Sequence, residues 1–138
     1  SYWSDGNGDD RIVFATPGYN LVALDAHSGQ PVEGFGNNGV VDMLDAVDAA
    51  GFEGDLVGRF GNSSPVVISH DTIVVGPAMG RLNKENVKGD VLAFDARTGT
   101  KKWNFHTVPR AGEFGHERSE ERRVGKECAS MCDLGGRR

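Results

Sequence analysis

The chain has 138 residues, of which 38% are hydrophobic, and a formal net charge of −5. This acidic balance argues against a nucleic-acid-binding surface and a basic membrane-binding face, and no apolar stretch approaches the ~20 residues of a transmembrane helix. The 20 glycines separate short apolar runs, a pattern that predicts many short strands joined by turns.

Extended runs begin early in the chain. The stretch RIVFATPG, Arg11 to Gly18, is β-branched and aromatic, ends in Pro-Gly and is followed by YNLVALDAHSG. Two extended runs with a glycine-containing connection predict a β-hairpin. The pattern returns in PVVISHDTIVVG, Pro65 to Gly76, and in GDVLAFDARTGTKKWNF, Gly89 to Phe105, where Arg97-Thr98-Gly99 forms the turn.

Leu21 to Gly29 and Val91 to Gly99 share the motif Ala-x-Asp-x-x-Thr/Ser-Gly. If residues 11–14 also correspond to residues 72–75, the chain contains two copies of one antiparallel unit. The second copy is complete, with strands expected at Val66–Ser69, Thr72–Gly76, Val91–Asp95 and Lys101–Phe105. Repeated four-stranded units predict an all-β fold, about two four-stranded antiparallel blades of a β-propeller.

Two insertions are long for hairpin connections. In the first, VVDMLDAVDAAGFEGDLVGRFGNSS, Asp42 is expected to cap a short helix with Leu44, Val47 and Ala50 on one face, before Gly51 ends it. The second, PAMGRLNKENVKGD, separates Val75 from Val91. Long loops on a rigid sheet often carry ligand contacts.

The repeated motif has a structural interpretation. Asp95 can accept backbone N–H bonds across the turn, Gly99 supplies a positive φ, and Trp103 projects a flat surface that could wedge against the neighbouring unit. The motif therefore predicts docking between blades rather than catalysis. In the first copy Glu33 stands at the tryptophan position, and we expect Phe35 to substitute only loosely.

The composition changes after Gly115. The stretch RSEERRVGKEC, Arg118 to Cys128, resembles the translation of a sequencing-adapter oligonucleotide. We therefore interpret residues 1–116 as a partial propeller and residues 117–138 as a non-native tail, disordered or forming a short helix. Cys128 and Cys132 are the only cysteines, and the tail lacks the further ligands that a structural zinc site requires.

The motif, together with SYWSDGNGDDRIVFATPGYNLVALDAHSGQPVEGFGNNGVVD, NSSPVVISHDTIVVG and WNFHTVPRAGEFG, closely resembles the pyrroloquinoline quinone (PQQ)-dependent alcohol and glucose dehydrogenases. The resemblance implies part of an eight-bladed, periplasmic propeller that oxidises an alcohol or a sugar and passes electrons to a quinone or a cytochrome. It further implies PQQ in the central funnel, with calcium or another divalent metal, and an aspartate as general base. The chain itself shows no signal-peptide pattern.

Residue-by-residue comparison with that family places the quinone next to the segments GNSSP and VGPAMG. The cofactor-binding residues implied are Asn62, Ser63, Gly76, Pro77, Ala78 and Met79. The alternative is that these residues only begin one strand and end another. The matching place for a family metal ligand, near Met79 to Arg81, has no carboxylate, so no metal ligand is assigned. No catalytic residue is assigned either, because the resemblance implies that the general base lies beyond Gly115, with the remaining blades. We therefore expect the fragment to be inactive.

Other features of the sequence are compatible with other functions. A non-enzymatic propeller scaffold, such as an outer-membrane assembly lipoprotein, uses the same type of repeat. Asp5, Asn7 and Asp9 have the spacing of a calcium loop, but Asp10 stands where glycine is needed, which favours a solvated turn. His70 beside Asp71 does not predict a hydrolase, because the chain has no Gly-x-Ser-x-Gly nucleophile elbow.

Overall fold

The structure is a computed structural model that describes residues 1–47, 58, 60–62, 64–79 and 89–118. The chain divides into two compact units, Ser1–Phe105 and His106–Arg138. The strands of the described residues all lie in the first unit: β1 Tyr2–Ser4, β2 Asp10–Ala15, β3 Asn20–Asp25, β4 Val40–Asp42, β5 Phe60–Gly61, β6 Val67–Ser69, β7 Thr72–Val75, β8 Ala78–Met79, β9 Val91–Asp95 and β10 Lys101–Phe105.

Two antiparallel four-stranded sheets form the first unit, in the orders β1-β2-β3-β4 (sheet 1) and β10-β9-β7-β6 (sheet 2). This confirms the predicted fold class. The strands of sheet 2 fall within one residue of the predicted bounds. The outer strands of sheet 1, β1 and β4, have three residues each and were not predicted.

The core lies between the sheets, because side chains alternate across each strand. Sheet 1 contributes the row that contains Val13 and Ala23, and sheet 2 contributes the row of Ile73 and Phe94; all four side chains are buried in one hydrophobic cluster. The opposite faces keep large apolar side chains exposed, among them Ile12 on sheet 1 and Val67 on sheet 2. The sheets therefore pack with one face each.

Asp42 caps a helix, as predicted, but the helix is a single 3-10 turn, Met43–Ala46. The carboxylate of Asp42 accepts a hydrogen bond of 2.9 Å from the backbone N–H of Leu44. Val47 is the C-cap rather than a member of the helix face, and the predicted positions of Ala50 and Gly51 lie outside the described residues.

Replacing this cap tests its contribution. Asp42→Ala is expected to lower the free energy of unfolding by about 1 kcal/mol, because the N–H of Leu44 loses its acceptor. Asp42→Asn should retain most of the stability, because its amide oxygen can still accept the bond. Urea unfolding followed by circular dichroism measures both, and equal losses in the two variants would contradict the capping role.

The tryptophan that joins the two sheets is Trp3, not Trp103. Trp3 is 4% exposed, and its indole N–H donates to the backbone carbonyl of His70 at 3.1 Å and to the carboxylate of Asp71 at 3.2 Å. Trp103 is 45% exposed. The expectation that Trp103 docks the two described sheets is therefore wrong, because its side chain lies on the face of sheet 2 that points away from sheet 1.

Two guanidinium groups hold the indole of Trp3. Those of Arg11 and Arg97 lie 5.2 Å and 5.0 Å from the ring centroid, within the range of cation–π attraction. Arg11 is buried, makes two 2.7 Å bonds to the carboxylate of Asp9 and donates to the backbone carbonyls of Ala96 and Arg97. These contacts clamp the start of sheet 1 onto the β9–β10 turn of sheet 2.

Phe35 docks sheet 1 onto that same turn. Its side chain is 0% exposed, so it replaces the tryptophan of the first motif more completely than the loose substitution expected from the sequence. Nearby, the N–H of Gly36 donates to the carbonyl of Thr98 at 2.9 Å. A methyl group built on Gly99 would lie 3.3 Å from the ring of Phe35 and 2.7 Å from Val41. The absence of a side chain at Gly99 lets the two sheets approach.

The second unit is described only for residues 106–118. The carboxylate of Glu113 accepts a 2.7 Å hydrogen bond from the backbone N–H of Arg110 and lies 2.6 Å from His106 Nδ1. A short 3-10 turn, His116–Arg118, follows. The tail boundary predicted at residue 117 stays a prediction. No helix in the described part of the chain is long and apolar enough to cross a membrane.

Candidate functional site

A short ribbon brings together the two segments that the sequence comparison selected. Strands β5 and β8 pair antiparallel, with Phe60 opposite Met79 and Gly61 opposite Ala78. The ribbon is separate from both four-stranded sheets. Continuing its register sets Asn62 beside Pro77. Residues about 15 positions apart in the sequence thus become neighbours at one end of the ribbon.

Five of the six nominated cofactor residues lie in the described part of the chain, and Ser63 lies outside it. Asn62, Pro77 and Ala78 are half-buried and Gly76 is exposed, so the end of the ribbon is accessible. The side-chain oxygen of Asn62 accepts a 2.8 Å hydrogen bond from the N–H of Ser64, which turns the chain into the approach to β6. Both interpretations, cofactor contact and strand termini, are compatible with this placement, and the assignment stays a prediction.

Tyr19 supports the ribbon from the β2–β3 turn. Its ring packs against Phe60 with centroids 5.4 Å apart, and its backbone is held at a φ of 64°, which is uncommon for a residue with a side chain. The backbone carbonyl of Pro17, in the same turn, lies 3.2 Å from where a Cβ on Gly61 would stand. Both contacts fix the position of β5.

The hydroxyl group of Tyr19 is buried without a hydrogen-bond partner in the described structure. Burial, and then the negative charge of Asp90, raises the pKa of Tyr19 to about 12, so this hydroxyl keeps its proton at neutral pH. A buried polar group without a partner costs about 1–3 kcal/mol. Such groups in native proteins are satisfied by water or by a ligand.

The chemistry of these residues is compatible with one edge of PQQ. The amide nitrogen of Asn62 and the backbone N–H groups near Gly76 can donate to quinone carbonyl or carboxylate oxygens, and Pro77 and Ala78 offer apolar surface. The described part of the ribbon has no lysine or arginine to pair with the three carboxylates of the cofactor. A search of the described residues also finds no group of three or more His, Cys, Asp or Glu side chains that could hold a metal ion.

A separate cleft of about 630 Å³ lies beside the β9–β10 turn. Lys101 Nζ, on its wall, donates a 2.7 Å hydrogen bond to the carbonyl of Ala46, which also lines the cleft. None of the nominated cofactor residues lines it. Its lining residues are Asn20, Gly36, Asn37, Val40, Val41, Asp42, Asp45, Ala46, Phe94, Thr98, Gly99, Thr100 and Lys101.

The motif aspartates, Asp25 and Asp95, close their turns as the sequence predicts. Asp25 accepts bonds from the hydroxyl and the N–H of Ser28, which lower its pKa. Burial raises the pKa of Asp95, but hydrogen bonds from Lys102 and from the turn N–H groups outweigh it, and the net shift is downward. These carboxylates stabilise turns and are not placed in the ribbon.

The lowered pKa values of Asp25 and Asp95 predict that the fold loses stability in acid. A carboxylate whose pKa is lowered by folding stabilises the fold above its ordinary pKa of about 4, and this stabilisation is lost as the pH falls through the folded-state value. The urea midpoint should therefore fall from pH 6 to pH 2, and Asp95→Asn should reduce the fall relative to the parent chain. A variant that loses as much stability as the parent over that range would contradict this assignment.

Sequence reasoning missed the residues that hold the ribbon and the sheets. Trp3 lies in a strand of three residues, too short to show alternation. Tyr19 follows Pro-Gly, where the pattern predicts only a turn. Phe60 lies between glycines in a segment assigned to an insertion. The sequence signal that could have identified these three residues is that each is a large aromatic residue beside a glycine- or aspartate-rich turn.

Comparison with known proteins assigns the family. Residues 1–130 match the profile described as "PQQ: Glucose/ethanol/alcohol dehydrogenase, beta-propeller domain". This range passes residue 117, so it does not mark the tail boundary predicted there. The chain is 31% identical over 108 residues to the quinoprotein glucose dehydrogenase of Gluconobacter oxydans (strain 621H) and 27% identical over 96 residues to that of Escherichia coli (strain K12).

These matches cover 74% and 69% of the chain but only 13% and 11% of the two relatives. A europium-containing methanol dehydrogenase matches the structure with a TM-score of 0.49 and 20% identity, over 79% of this chain and 15% of that one. The family profile covers nearly the whole chain, and the two antiparallel sheets described above agree with a propeller domain. The chain therefore belongs to the PQQ-dependent dehydrogenase family and is part of its β-propeller domain.

Proposed function

We propose that this chain is part of a dehydrogenase that uses PQQ to oxidise an alcohol or a sugar, and that the β5–β8 ribbon is one wall of the cofactor site. The pairing of Gly61 with Ala78 carries the proposal, because it brings both nominated segments to one accessible end of a ribbon. Family membership and the names of the two quinoprotein relatives support the choice of cofactor.

Bound PQQ would supply a two-electron acceptor for the substrate. The residues of this chain would hold one edge of it: Asn62 would donate its amide N–H, the backbone near Gly76 would donate N–H groups, and Pro77 and Ala78 would offer apolar surface to the ring. Tyr19 keeps the ribbon in place through Phe60. Other parts of the propeller would supply the ligands of the calcium or other divalent ion and the cationic side chains that pair with the cofactor carboxylates.

We assign no catalytic step to the chain alone. Oxidation of an alcohol requires a general base at the substrate hydroxyl, and the family resemblance implies that this aspartate follows Gly115. The full enzyme is proposed to act in the periplasm and to pass electrons to a quinone or a cytochrome. With PQQ and calcium added, the 138-residue chain should therefore not reduce an artificial electron acceptor in the presence of glucose or ethanol.

Binding of PQQ to the ribbon is tested by NMR. Titration of the ¹⁵N-labelled chain with PQQ and calcium should shift the amide signals of Asn62, Gly76 and Ala78, and leave Asn37, in the separate cleft, unchanged. Citrate, a tricarboxylate without a quinone ring, serves as the control ligand and should not produce the same pattern.

A matched pair of variants sharpens this test. Asn62→Ala should weaken PQQ binding about fivefold, the effect of losing one hydrogen bond worth about 1 kcal/mol, whereas Asn37→Ala should not change it. If PQQ shifts no amide signal of the ribbon, or binds the Asn62→Ala and Asn37→Ala variants with equal affinity, the assignment of the ribbon as a wall of the cofactor site is wrong. The scaffold alternative, a propeller that binds no quinone, would then be favoured.

A further inference from the structure

Two asparagine–glycine pairs lie in described turns of the first unit, Asn7-Gly8 between β1 and β2 and Asn38-Gly39 before β4. An asparagine side chain can react with the backbone nitrogen of the residue that follows it. Glycine favours this reaction because it has no side chain to hinder the approach. The two pairs consist of the same two residues, so a difference between their reactivities must arise from the fold.

The Asn7-Gly8 pair lies in an open loop. Both residues are exposed, and the backbone N–H of Gly8 donates no hydrogen bond to any residue that the structure describes. A Cβ built on Gly8 would meet nothing within 4 Å. The side-chain amide of Asn7 makes a long hydrogen bond of 3.3 Å to the carbonyl of Asp5. Rotation about the exposed bonds of this loop can therefore bring the nitrogen of Gly8 to the side-chain carbon of Asn7.

The Asn38-Gly39 pair is held in a packed turn, and Gly39 is buried. The N–H of Gly39 donates a 2.8 Å hydrogen bond to the carbonyl of Phe35, and the carbonyl of Gly39 accepts a 2.9 Å bond from the N–H of Ala23. A Cβ built on Gly39 would lie 2.6 Å from Pro31. The nitrogen of Gly39 can therefore reach the side chain of Asn38 only after local opening of the turn.

The loop that contains Asn7 contacts sheet 2 through an ion pair. The carboxylate of Asp5 accepts hydrogen bonds from the N–H of Asn7 at 2.7 Å and from the N–H of Asp9 at 3.1 Å, and it lies 3.5 Å from a guanidinium nitrogen of Arg97. The loop lies at the end of β1 away from Ser1, and its neighbour on sheet 2 is part of this chain. A change of the backbone at residue 7 should therefore affect the contact between the sheets.

We propose that Asn7 is a site of spontaneous deamidation and that the contacts of Gly39 protect Asn38 from the same reaction. The backbone nitrogen of Gly8 loses its proton and bonds to Cγ of Asn7, while the bond from Cγ to the amide nitrogen breaks and ammonia leaves with that proton. Water then opens the succinimide ring at either carbonyl, which gives aspartate or isoaspartate, the isomer whose main chain runs through Cγ. The reaction consumes one water, releases one ammonia and does not depend on PQQ.

Mass spectrometry of the full 138-residue chain, aged in mildly alkaline buffer, tests the proposal. Trypsin cuts after Arg11, so Asn7 and Asn38 fall in different peptides. The peptide of residues 1–11 should gain the mass difference between an amide and an acid at least about tenfold faster than the peptide with Asn38, which reacts only after local opening. Asn7→Gln should abolish the gain, because its ring would need one more carbon. No gain in the first peptide, or equal rates in the two, would overturn the proposal.

The unfolded chain is the matched control. In concentrated urea both pairs lose their folded surroundings, so Asn7 and Asn38 should react at similar rates. A difference that persisted in urea would come from the local sequence and would overturn the protective role of the Gly39 contacts. Asn7→Asp supplies the charge of the product without the extra backbone carbon of isoaspartate. The deamidated chain, separated from the parent by anion exchange, should unfold at a lower urea concentration than Asn7→Asp, and equal midpoints would contradict the coupling of residue 7 to Arg97.

Discussion

Trp3→Ala should lower the free energy of unfolding by about 3–5 kcal/mol, the range measured for removal of a large buried aromatic side chain. The indole is buried between the sheets and donates to both His70 and Asp71. Its removal also leaves the guanidinium groups of Arg11 and Arg97 without the ring they now flank. Urea unfolding at a concentration where the chain is monomeric measures the loss.

Trp103→Ala is the matched control. Trp103 is 45% exposed and lies on the face of sheet 2 that points away from sheet 1, so the same substitution should cost at most about 1 kcal/mol. Trp3→Phe keeps a ring for the two arginines but removes the N–H donor, so it should lose less stability than Trp3→Ala. This variant provides the measurement if Trp3→Ala does not fold. A larger loss from Trp103→Ala than from Trp3→Ala would restore the docking role that the sequence assigned to Trp103.

The strands of sheet 2 could be predicted because runs of β-branched and aromatic residues end there in strong turn signals. Strands β1 and β4 could not, since three residues are too few to show a period of two. The 3-10 turn was predicted through Asp42, whose capping chemistry is local. The length of this helix was not predicted, because a short 3-10 turn and the first turn of an α-helix begin with the same capping pattern.

The error over Trp103 has a specific cause. A repeated motif indicates that its large side chain docks onto a neighbour, but it does not say on which side that neighbour lies. Phe35, which lies two residues after the position that aligns with Trp103, docks forward onto sheet 2. Trp103 lies in β10, on the face of sheet 2 that points away from sheet 1. Only the strand register shows this direction.

The candidate site was predictable only in part. Resemblance selected the segments around Asn62 and Pro77, and the structure makes them neighbours through β5 and β8. The support beneath them, Tyr19 on Phe60, arises from a turn in the first repeat that no local pattern connects to the ribbon. Long-range packing of this kind has no signature in a single sequence.

Gly99→Ala should destabilise the chain by about 2–4 kcal/mol, whereas Gly29→Ala should cost only about 1 kcal/mol. Both glycines hold nearly the same positive φ, so the backbone cost of about 1–2 kcal/mol is shared. The added methyl at Gly99 would stand 2.7 Å from Val41 and 3.1 Å from the backbone nitrogen of Gly36, and overpacking of that kind typically adds about 1–3 kcal/mol.

The difference between these two variants therefore measures the fit between the sheets alone. Thermal and urea unfolding of both variants, at a dilution where the chain is monomeric, give the comparison. If Gly29→Ala costs as much as Gly99→Ala, the turns are equivalent in the isolated chain and the docking of Phe35 on the second motif contributes nothing. A larger loss in Gly99→Ala than in Gly29→Ala assigns the difference to the contact of the Gly99 turn with Phe35 and Val41.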